Sequence, residues 1–212
     1  YLAKQGFLNI DAFEDKNPIY CAMDDSPVLN ITGEGGSGKT TYSQQYKDNP
    51  EYIVVDYDVV LLGTGSKTDI EFYLRKKIED KYGKSIFESK GIDEARKKFT
   101  IIYEEIINLL QNSGKKIILD GTQLRFIDDV KKIRGELIVL RPSIETCVSR
   151  SVERKQAEHP ELSTEELKNY EQRRRETLYR LNPFLNEMVS KVAEFATFEE
   201  FIIEKTNKGI KL

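Results

Sequence analysis

The sequence contains few of the residues on which several common active sites depend. It has one histidine, His159, and two cysteines, Cys21 and Cys147, which lie far apart along the chain. A single histidine argues against a Ser-His-Asp triad and against a metal site built from histidines. The two distant cysteines form no CxxC pair, so neither a zinc motif nor a disulfide framework is predicted.

Long apolar runs and an excess of positive charge are also missing. No apolar run approaches the ~20 residues that a membrane-spanning helix needs, and the first residues lack the pattern of a signal peptide. The 33 basic and 36 acidic side chains give a formal net charge of −3, so no general basic field attracts nucleic acid. We therefore expect a cytoplasmic protein without membrane contact.

Short β-rich segments alternate with longer helical patterns, which is typical of an α/β fold with a parallel sheet. The predicted strands, numbered 1 to 5 along the chain, are Val28–Thr32, Tyr52–Asp56, Lys116–Asp120, Glu136–Leu140 and Phe198–Ile203. We predict a P-loop-type fold in which these five parallel strands have the order 2-3-1-4-5, with helices on both faces. Residues 1–212 are expected to form one domain.

One segment precedes the predicted sheet, and another lies between its fourth and fifth strands. Residues 1–27 are interpreted as an N-terminal extension, with a weak helix and turn at Asp11–Tyr20. Residues 143–182 are interpreted as a helical lid of two helices joined at a polar corner. A capping box beginning at Ser163 starts the second of these helices, and Pro183 is expected to break it.

The strongest motif lies between the first strand and the first helix. The eight residues from Gly33 to Thr40, GEGGSGKT, match the phosphate-binding pattern G-x-x-x-x-G-K-[ST]. Glycines let the backbone N–H groups surround phosphate at a helix N-terminus, Lys39 reaches the β- and γ-phosphates, and the Thr40 hydroxyl binds Mg²⁺. A glycine-rich turn without function is the alternative. The predicted ligand is ATP with Mg²⁺, contacted by Gly33, Gly35, Gly36, Ser37, Gly38, Lys39, Thr40 and Thr41.

Carboxylates follow the next two strands at the sheet edge where ligands bind in open α/β folds. Asp56 and Asp58 end the second strand, and Asp120 ends the third. We predict that Asp58 accepts the proton of a hydroxyl acceptor, with Asp56 beside that acceptor and Asp120 near the metal or acceptor. Thr122 and Arg125 are predicted to face the acceptor as well. Ordinary helix caps and turns are the alternative.

Arginines in the predicted lid supply positive charge. Arg150 and Arg154 are four residues apart and share one helix face, so we predict that they act on the transferred phosphoryl group. The run Arg173–Arg175 on the next helix is left open, because solvent-exposed pairs such as Glu171 with Arg175 explain such residues equally well.

These motifs together resemble those of small P-loop kinases, in particular polynucleotide 5′-hydroxyl kinases and zeta-toxin-type kinases. The resemblance covers roughly Pro27 to Arg180 and implies that Asp58 is the general base. The segment Asp120-Gly121-Thr122 is similar to the acidic-Gly-Thr segment with which zeta-type kinases hold an amino-sugar nucleotide. Thr122-Gln123-Leu124 is similar to a segment of polynucleotide kinases, although their arginine three residues after the base is Leu61 here.

The resemblance implies an ATP-dependent phosphotransferase. Its acceptor would be the hydroxyl of a nucleotide, a sugar nucleotide or a nucleic-acid 5′ end, and a protein partner such as an antitoxin stays open. The alternative function is a P-loop ATPase or nucleotide switch that acts through a protein partner. A guanine-specifying Asn-Lys-x-Asp motif is absent from the sequence, and Gly121 rather than a second acid follows Asp120, so we favour the kinase.

Overall fold

The computed structural model describes residues 16–64, 68–194, 197–200, 204–206 and 209–211. Its main sheet has six strands: β1 (Lys16–Ala22), β2 (Val28–Gly33), β3 (Tyr52–Asp56), β4 (Lys116–Asp120), β5 (Glu136–Arg141) and β6 (Thr197–Glu200). They lie in the order β3-β4-β2-β5-β1-β6. A separate two-stranded sheet pairs β7 (Glu204–Thr206) with β8 (Gly209–Lys211).

The prediction of a purely parallel five-stranded sheet is wrong. The four central strands β3, β4, β2 and β5 are parallel, but β1 runs antiparallel to both β5 and β6. The predicted order 2-3-1-4-5 is also wrong, because β1 lies between β5, the predicted fourth strand, and β6, which contains part of the predicted fifth. The expected weak helix at Asp11–Tyr20 is wrong from residue 16 onward, because the chain there belongs to β1. Residues 11–15, and 201–203 of the predicted fifth strand, lie outside the described residues.

Helices cover both faces of the sheet, as predicted. They are α1 (Lys39–Gln44), α2 (Tyr57–Leu62), α3 (Asp69–Tyr82), α4 (Ile92–Leu110), α5 (Ile144–Glu158) and α6 (Thr164–Ala193). Alternate residues of β4 pack on opposite sides: Ile117 and Leu119 join a large cluster with α2, α3, α4 and α6. Ile118 joins a smaller cluster with Tyr42 of α1. The core thus fixes α1, and the loop before it, at the carboxyl end of β2.

The predicted lid corresponds to α5 and α6. The capping box is confirmed, since Ser163 and Glu166 exchange hydrogen bonds at the start of α6. The predicted break at Pro183 is wrong, because α6 continues through this residue to Ala193. Beyond it, side chains buried in the main cluster hold the helix in place, and these are Leu185, Met188, Val189 and Val192. Of the helices in the described residues, none is both long and apolar enough to span a bilayer.

Candidate functional site

The loop between β2 and α1 has a backbone conformation that depends on glycine. Gly36 has a φ of 88° and Gly38, which precedes α1, has a φ of 99°. Side chains are strained at both values. At Gly36 a Cβ atom would also lie 2.4 Å from the carbonyl oxygen of Cys147 in α5. Glycine therefore allows the loop to turn sharply and the lid helix to pack directly against it.

Lys39 lies beneath this loop with its side chain almost fully buried. Its Nζ atom donates hydrogen bonds to the carbonyl oxygens of Gly33 (3.2 Å) and Glu34 (3.1 Å). Burial lowers the pKa of Lys39, while the nearby carboxylates of Asp120 and Asp58 act in the opposite direction. A triphosphate would add further negative charge beside this ammonium group, which favours its charged form.

A cavity of about 430 Å³ opens between the loop, the ends of β3 and β4, and α5. Most of the predicted site residues line it: Gly35, Gly36, Gly38, Lys39, Thr40, Thr41, Asp56, Asp58, Asp120, Thr122, Arg150 and Arg154. Gly33, Ser37 and Arg125 are not among the lining residues. The fold therefore brings the loop, three carboxylates and two lid arginines to one place.

The three carboxylates are held by different contacts. Asp56 and Asp120 are register partners at the ends of the neighbouring parallel strands β3 and β4. Asp56 caps α2, because its Oδ1 atom accepts a hydrogen bond from the backbone N–H of Val59 (3.0 Å). Asp120 accepts a hydrogen bond from the Ser43 hydroxyl (2.7 Å). Asp56 thus also has the capping role that the alternative interpretation assigned to it, whereas Asp120 is held by a contact with a distant helix and caps no helix within the described residues.

Asp58 lies on the first turn of α2 rather than in an extended strand end. Its Oδ2 atom accepts a hydrogen bond from the backbone N–H of Thr122, and its Oδ1 atom accepts one from Gln123, both at 2.8 Å. The carboxylate is therefore fixed by the short helical turn that follows β4 while it remains in contact with the cavity.

The environment shifts the proton affinities of two of these acids. Burial raises the pKa of Asp56 to about 6, and the carboxylates of Asp58, Asp120 and Glu71 add to this rise. Burial also raises the pKa of Asp120, although the Ser43 hydroxyl and Lys39 lower it. The site thus gathers negative charge that a cation is well placed to balance.

The raised pKa of Asp56 predicts a pH-dependent contribution to stability. The folded protein holds this proton more tightly than the unfolded chain, with a pKa of about 6 against an ordinary value of 3.8. The free energy of unfolding therefore contains a contribution from protonated Asp56 that is complete below about pH 4 and is lost as the pH rises through about 6. Asn at this position still caps α2 but does not titrate. Urea unfolding should show the stability of the wild type, relative to Asp56→Asn, falling between about pH 4 and about pH 7. Parallel pH profiles would contradict this.

The lid arginines reach the loop from α5. Arg150 is partly buried, and its Nη1 atom lies 3.5 Å from the carbonyl oxygens of Gly36 and Ser37. Arg154, one helical turn further on, is exposed to solvent and lines the same cavity. Both arginines therefore border the cavity next to the loop.

Arg125 lies elsewhere than expected. Its side chain is buried, and its Nη1 atom donates a hydrogen bond at 2.6 Å to Oε2 of Glu34, a loop residue to which we assigned no role. This placement does not support the prediction that Arg125 faces an acceptor.

Two further residues lie near the site: Ser43, which we did not predict, and Arg174, which belongs to the run Arg173–Arg175 whose role the sequence leaves open. Ser43, which orients Asp120, lies three residues after Thr40, and this spacing on a helix was a usable signal. Arg174 of α6 lies against the loop so closely that a Cβ atom on Gly35 would be 1.8 Å from its Nη2 atom. Its neighbour Arg175 forms the predicted pair with Glu171 (2.8 Å).

The residues present fit magnesium. The Thr40 hydroxyl and the Asp120 carboxylate line the cavity and offer the oxygen ligands that Mg²⁺ prefers. Within the described ranges no group of three or more His, Cys, Asp and Glu side chains forms a metal cage. Mg²⁺ commonly binds through one or two protein oxygens together with substrate phosphates and water, and this donor set agrees with that mode.

Comparison with known proteins supports this interpretation of the loop. No curated protein matches the chain. The sequence model of a family described as an AAA domain matches residues 28–177, a range that contains the loop, the three carboxylates, α5 and the part of α6 up to Thr177. This family is of the P-loop NTPase type and includes kinases. Since more than half of the chain is matched, the protein belongs to the AAA domain family and is a P-loop nucleotide-binding domain.

Proposed function

We propose that the protein is a kinase that transfers the γ-phosphoryl group of ATP, with Mg²⁺, to a hydroxyl group. The observation that carries this proposal is that Asp58 lines the same cavity as Lys39 and Thr40. A carboxylate opposite the phosphate-binding loop is the group that phosphoryl transfer to a hydroxyl needs. The acceptor class is a nucleotide, a sugar nucleotide or a nucleic-acid 5′-hydroxyl.

In the proposed reaction each residue has a distinct task. The loop N–H groups and Lys39 bind the phosphates, and bound Mg²⁺, held by Thr40 and Asp120, supplies positive charge that stabilises the transferred group. Asp58 takes the proton of the acceptor hydroxyl. The hydroxyl oxygen of the acceptor forms a bond to the γ-phosphorus. The bond between the γ-phosphorus and the β,γ-bridging oxygen breaks, and ADP leaves. Arg150 and Arg154 neutralise charge on the equatorial oxygens.

The proposal is tested by incubating the protein with γ-labelled ATP and a panel of acceptors. The panel contains nucleosides, nucleotides, sugar nucleotides and 5′-hydroxyl oligonucleotides, and Lys39→Ala serves as the inactive control. Transfer of label to one class of acceptor by the wild type alone is expected. Release of labelled inorganic phosphate, with no labelled acceptor in any class, would contradict the kinase and favour the ATPase or switch.

The lid arginines provide a second test. If Arg150 and Arg154 contact the transferred group, each should matter more in the transition state than in the ground state. Replacing either with Ala is then expected to lower kcat by about 10²-fold with little change in the Kd of ATP. Lys at the same position should restore only part of the rate, because an ammonium group does not copy the planar guanidinium.

Arg173→Ala is a matched control for these variants. Arg173 is an arginine of α6, but its Nε atom donates to the carbonyl oxygen of Asn169 and its side chain lines a separate cavity. Steady-state rates and nucleotide titrations should therefore give Arg173→Ala the kcat and the Kd for ATP of the wild type. Unchanged kcat in both α5 variants would assign these arginines to the solvated surface and leave Arg174 as the lid candidate.

A further inference from the structure

A buried ion pair connects the phosphate-binding loop to the turn that follows β4. Arg125 Nη1 and Glu34 Oε2 are 2.6 Å apart, and only 1% and 4% of the two side chains is exposed. Burial removes both charges from water, and an apolar pair of similar volume often stabilises a fold as well or better. Stability alone is therefore a weak reason for charged residues at this position.

The two members of the pair belong to the two sides of the proposed reaction site, Glu34 to the loop and Arg125 to the turn that holds Asp58. The carbonyl oxygen of Glu34 accepts hydrogen bonds from Lys39 Nζ (3.1 Å) and from the backbone N–H of Ser37 (3.0 Å). Arg125 belongs to the short 3₁₀ turn Thr122–Phe126, whose first two N–H groups hold the carboxylate of Asp58. A continuous set of contacts thus runs from the lysine that binds phosphate to the proposed base.

The pair is also incompletely satisfied. Glu34 Oε1 and Arg125 Nε are buried and have no hydrogen-bond partner in the described part of the protein. Buried polar atoms without partners cost free energy, and in native proteins they often occur where function requires a particular geometry. This cost agrees with a role in positioning rather than in folding.

We propose that the Glu34–Arg125 ion pair fixes the distance between the phosphate-binding loop and Asp58. This inference rests on the proposed kinase function. Neither residue touches the reacting atoms, so both are positioning residues. Reacting groups must be held close to their productive geometry, and a displacement of about 1 Å can lower a rate by about 10²-fold.

The central experiment replaces the pair with apolar side chains in the double variant Glu34→Met/Arg125→Met, which leaves no unpaired buried charge. We expect an unchanged or higher melting temperature, a Kd for ATP within about threefold of the wild type, and a kcat lowered by about 10²-fold. The matched control is Arg96→Met/Glu187→Met, which removes a half-buried pair between α4 and α6. Its kcat should equal that of the wild type.

A conservative variant keeps the test informative if the double variant does not fold. Arg125→Lys retains the charge but loses the planar guanidinium, so we expect a folded protein with an intermediate kcat. The proposal is overturned if the double variant keeps a kcat within about threefold of the wild type. It is also overturned if Arg125→Lys has full activity, or if any loss of kcat is matched by an equal loss of ATP affinity.

Hydrogen exchange gives a readout that does not depend on the reaction. The backbone amides of Thr122 and Gln123 should exchange faster in the double variant than in the wild type and the control, because the turn is no longer tied to the loop. Unchanged exchange would overturn the proposal. If the wild type only hydrolyses ATP, the proposed kinase fails, while exchange and the hydrolysis rate still decide the role of the pair.

Discussion

Replacing Lys39 with Ala is expected to abolish phosphoryl transfer while the fold remains intact. The ammonium group of Lys39 is buried beneath the loop, and within the described residues its hydrogen bonds go to the loop carbonyls of Gly33 and Glu34. Bound phosphates would therefore be stronger partners than those it has now. Removing a preorganised charge from a developing transition state costs several kcal/mol, which corresponds to about 10³-fold or more in rate.

The fold should tolerate this change because Lys39 does not contribute to any of the three apolar clusters in the described residues. Burial lowers the pKa of Lys39, so the folded protein holds this charged group at a cost that Ala does not carry. Transfer of label from γ-labelled ATP and a thermal melt of the same preparation measure both expectations. Lys47→Ala is the control, since this lysine lies exposed just beyond α1. Turnover by Lys39→Ala near that of the control would show that the loop is not a working phosphate site.

The features predicted correctly from the sequence follow from a local motif or from the general rules of parallel sheets. The loop from Gly33 to Thr40 combines glycines, a lysine and a threonine at fixed spacing between a strand and a helix, so its conformation follows from local chemistry. The convergence of Asp56 and Asp120 follows from the parallel pairing of two buried strands, because such strands end at the same edge. Local pattern and tertiary structure agree at these positions.

The features missed depend on contacts between distant parts of the chain. Asn17-Pro18 indicates a turn, but Ile19 and Cys21 are buried where β1 pairs with β5 and β6, and this pairing decides the conformation. Pro183 lacks a backbone N–H and usually ends a helix. The buried residues Leu185 and Met188 beyond it continue α6 against the core, so packing outweighs the local cost.

The arginine assignments failed or stayed open for a related reason. Arg173, Arg174 and Arg175 follow one another on α6, and each residue of a helix points about 100° away from the last. Only the packing of α6 on α5 decides that Arg174 lies against the loop at Gly35. Glu34 and Arg125 lie in different elements of the fold, and no local pattern indicates that they form a buried pair.

Asp58→Asn is expected to lower the rate of phosphoryl transfer by about 10² to 10⁴-fold, the usual contribution of a positioned base. The Kd of ATP should stay within a few-fold of the wild type, because the loop and Lys39 are unchanged. Asn offers one oxygen where Asp58 offers two, so it keeps only one of the hydrogen bonds from Thr122 and Gln123. Thermal unfolding measures how much of the effect comes from that lost contact.

Asp56→Asn is the matched control, since both carboxylates line the cavity. Asp56 caps α2 through one bond from Val59, and Asn makes the same cap, so the substitution removes charge without removing the contact. We expect a smaller loss of transfer rate for this variant than for Asp58→Asn. Single-turnover experiments measure the transfer rate of both variants, and nucleotide titrations measure their affinity for ATP. Equal losses of rate would place the base elsewhere. A loss for Asp58→Asn that appears only in ATP binding would instead assign Asp58 to the magnesium site, because a metal ligand acts on the bound nucleotide and a base acts on the acceptor.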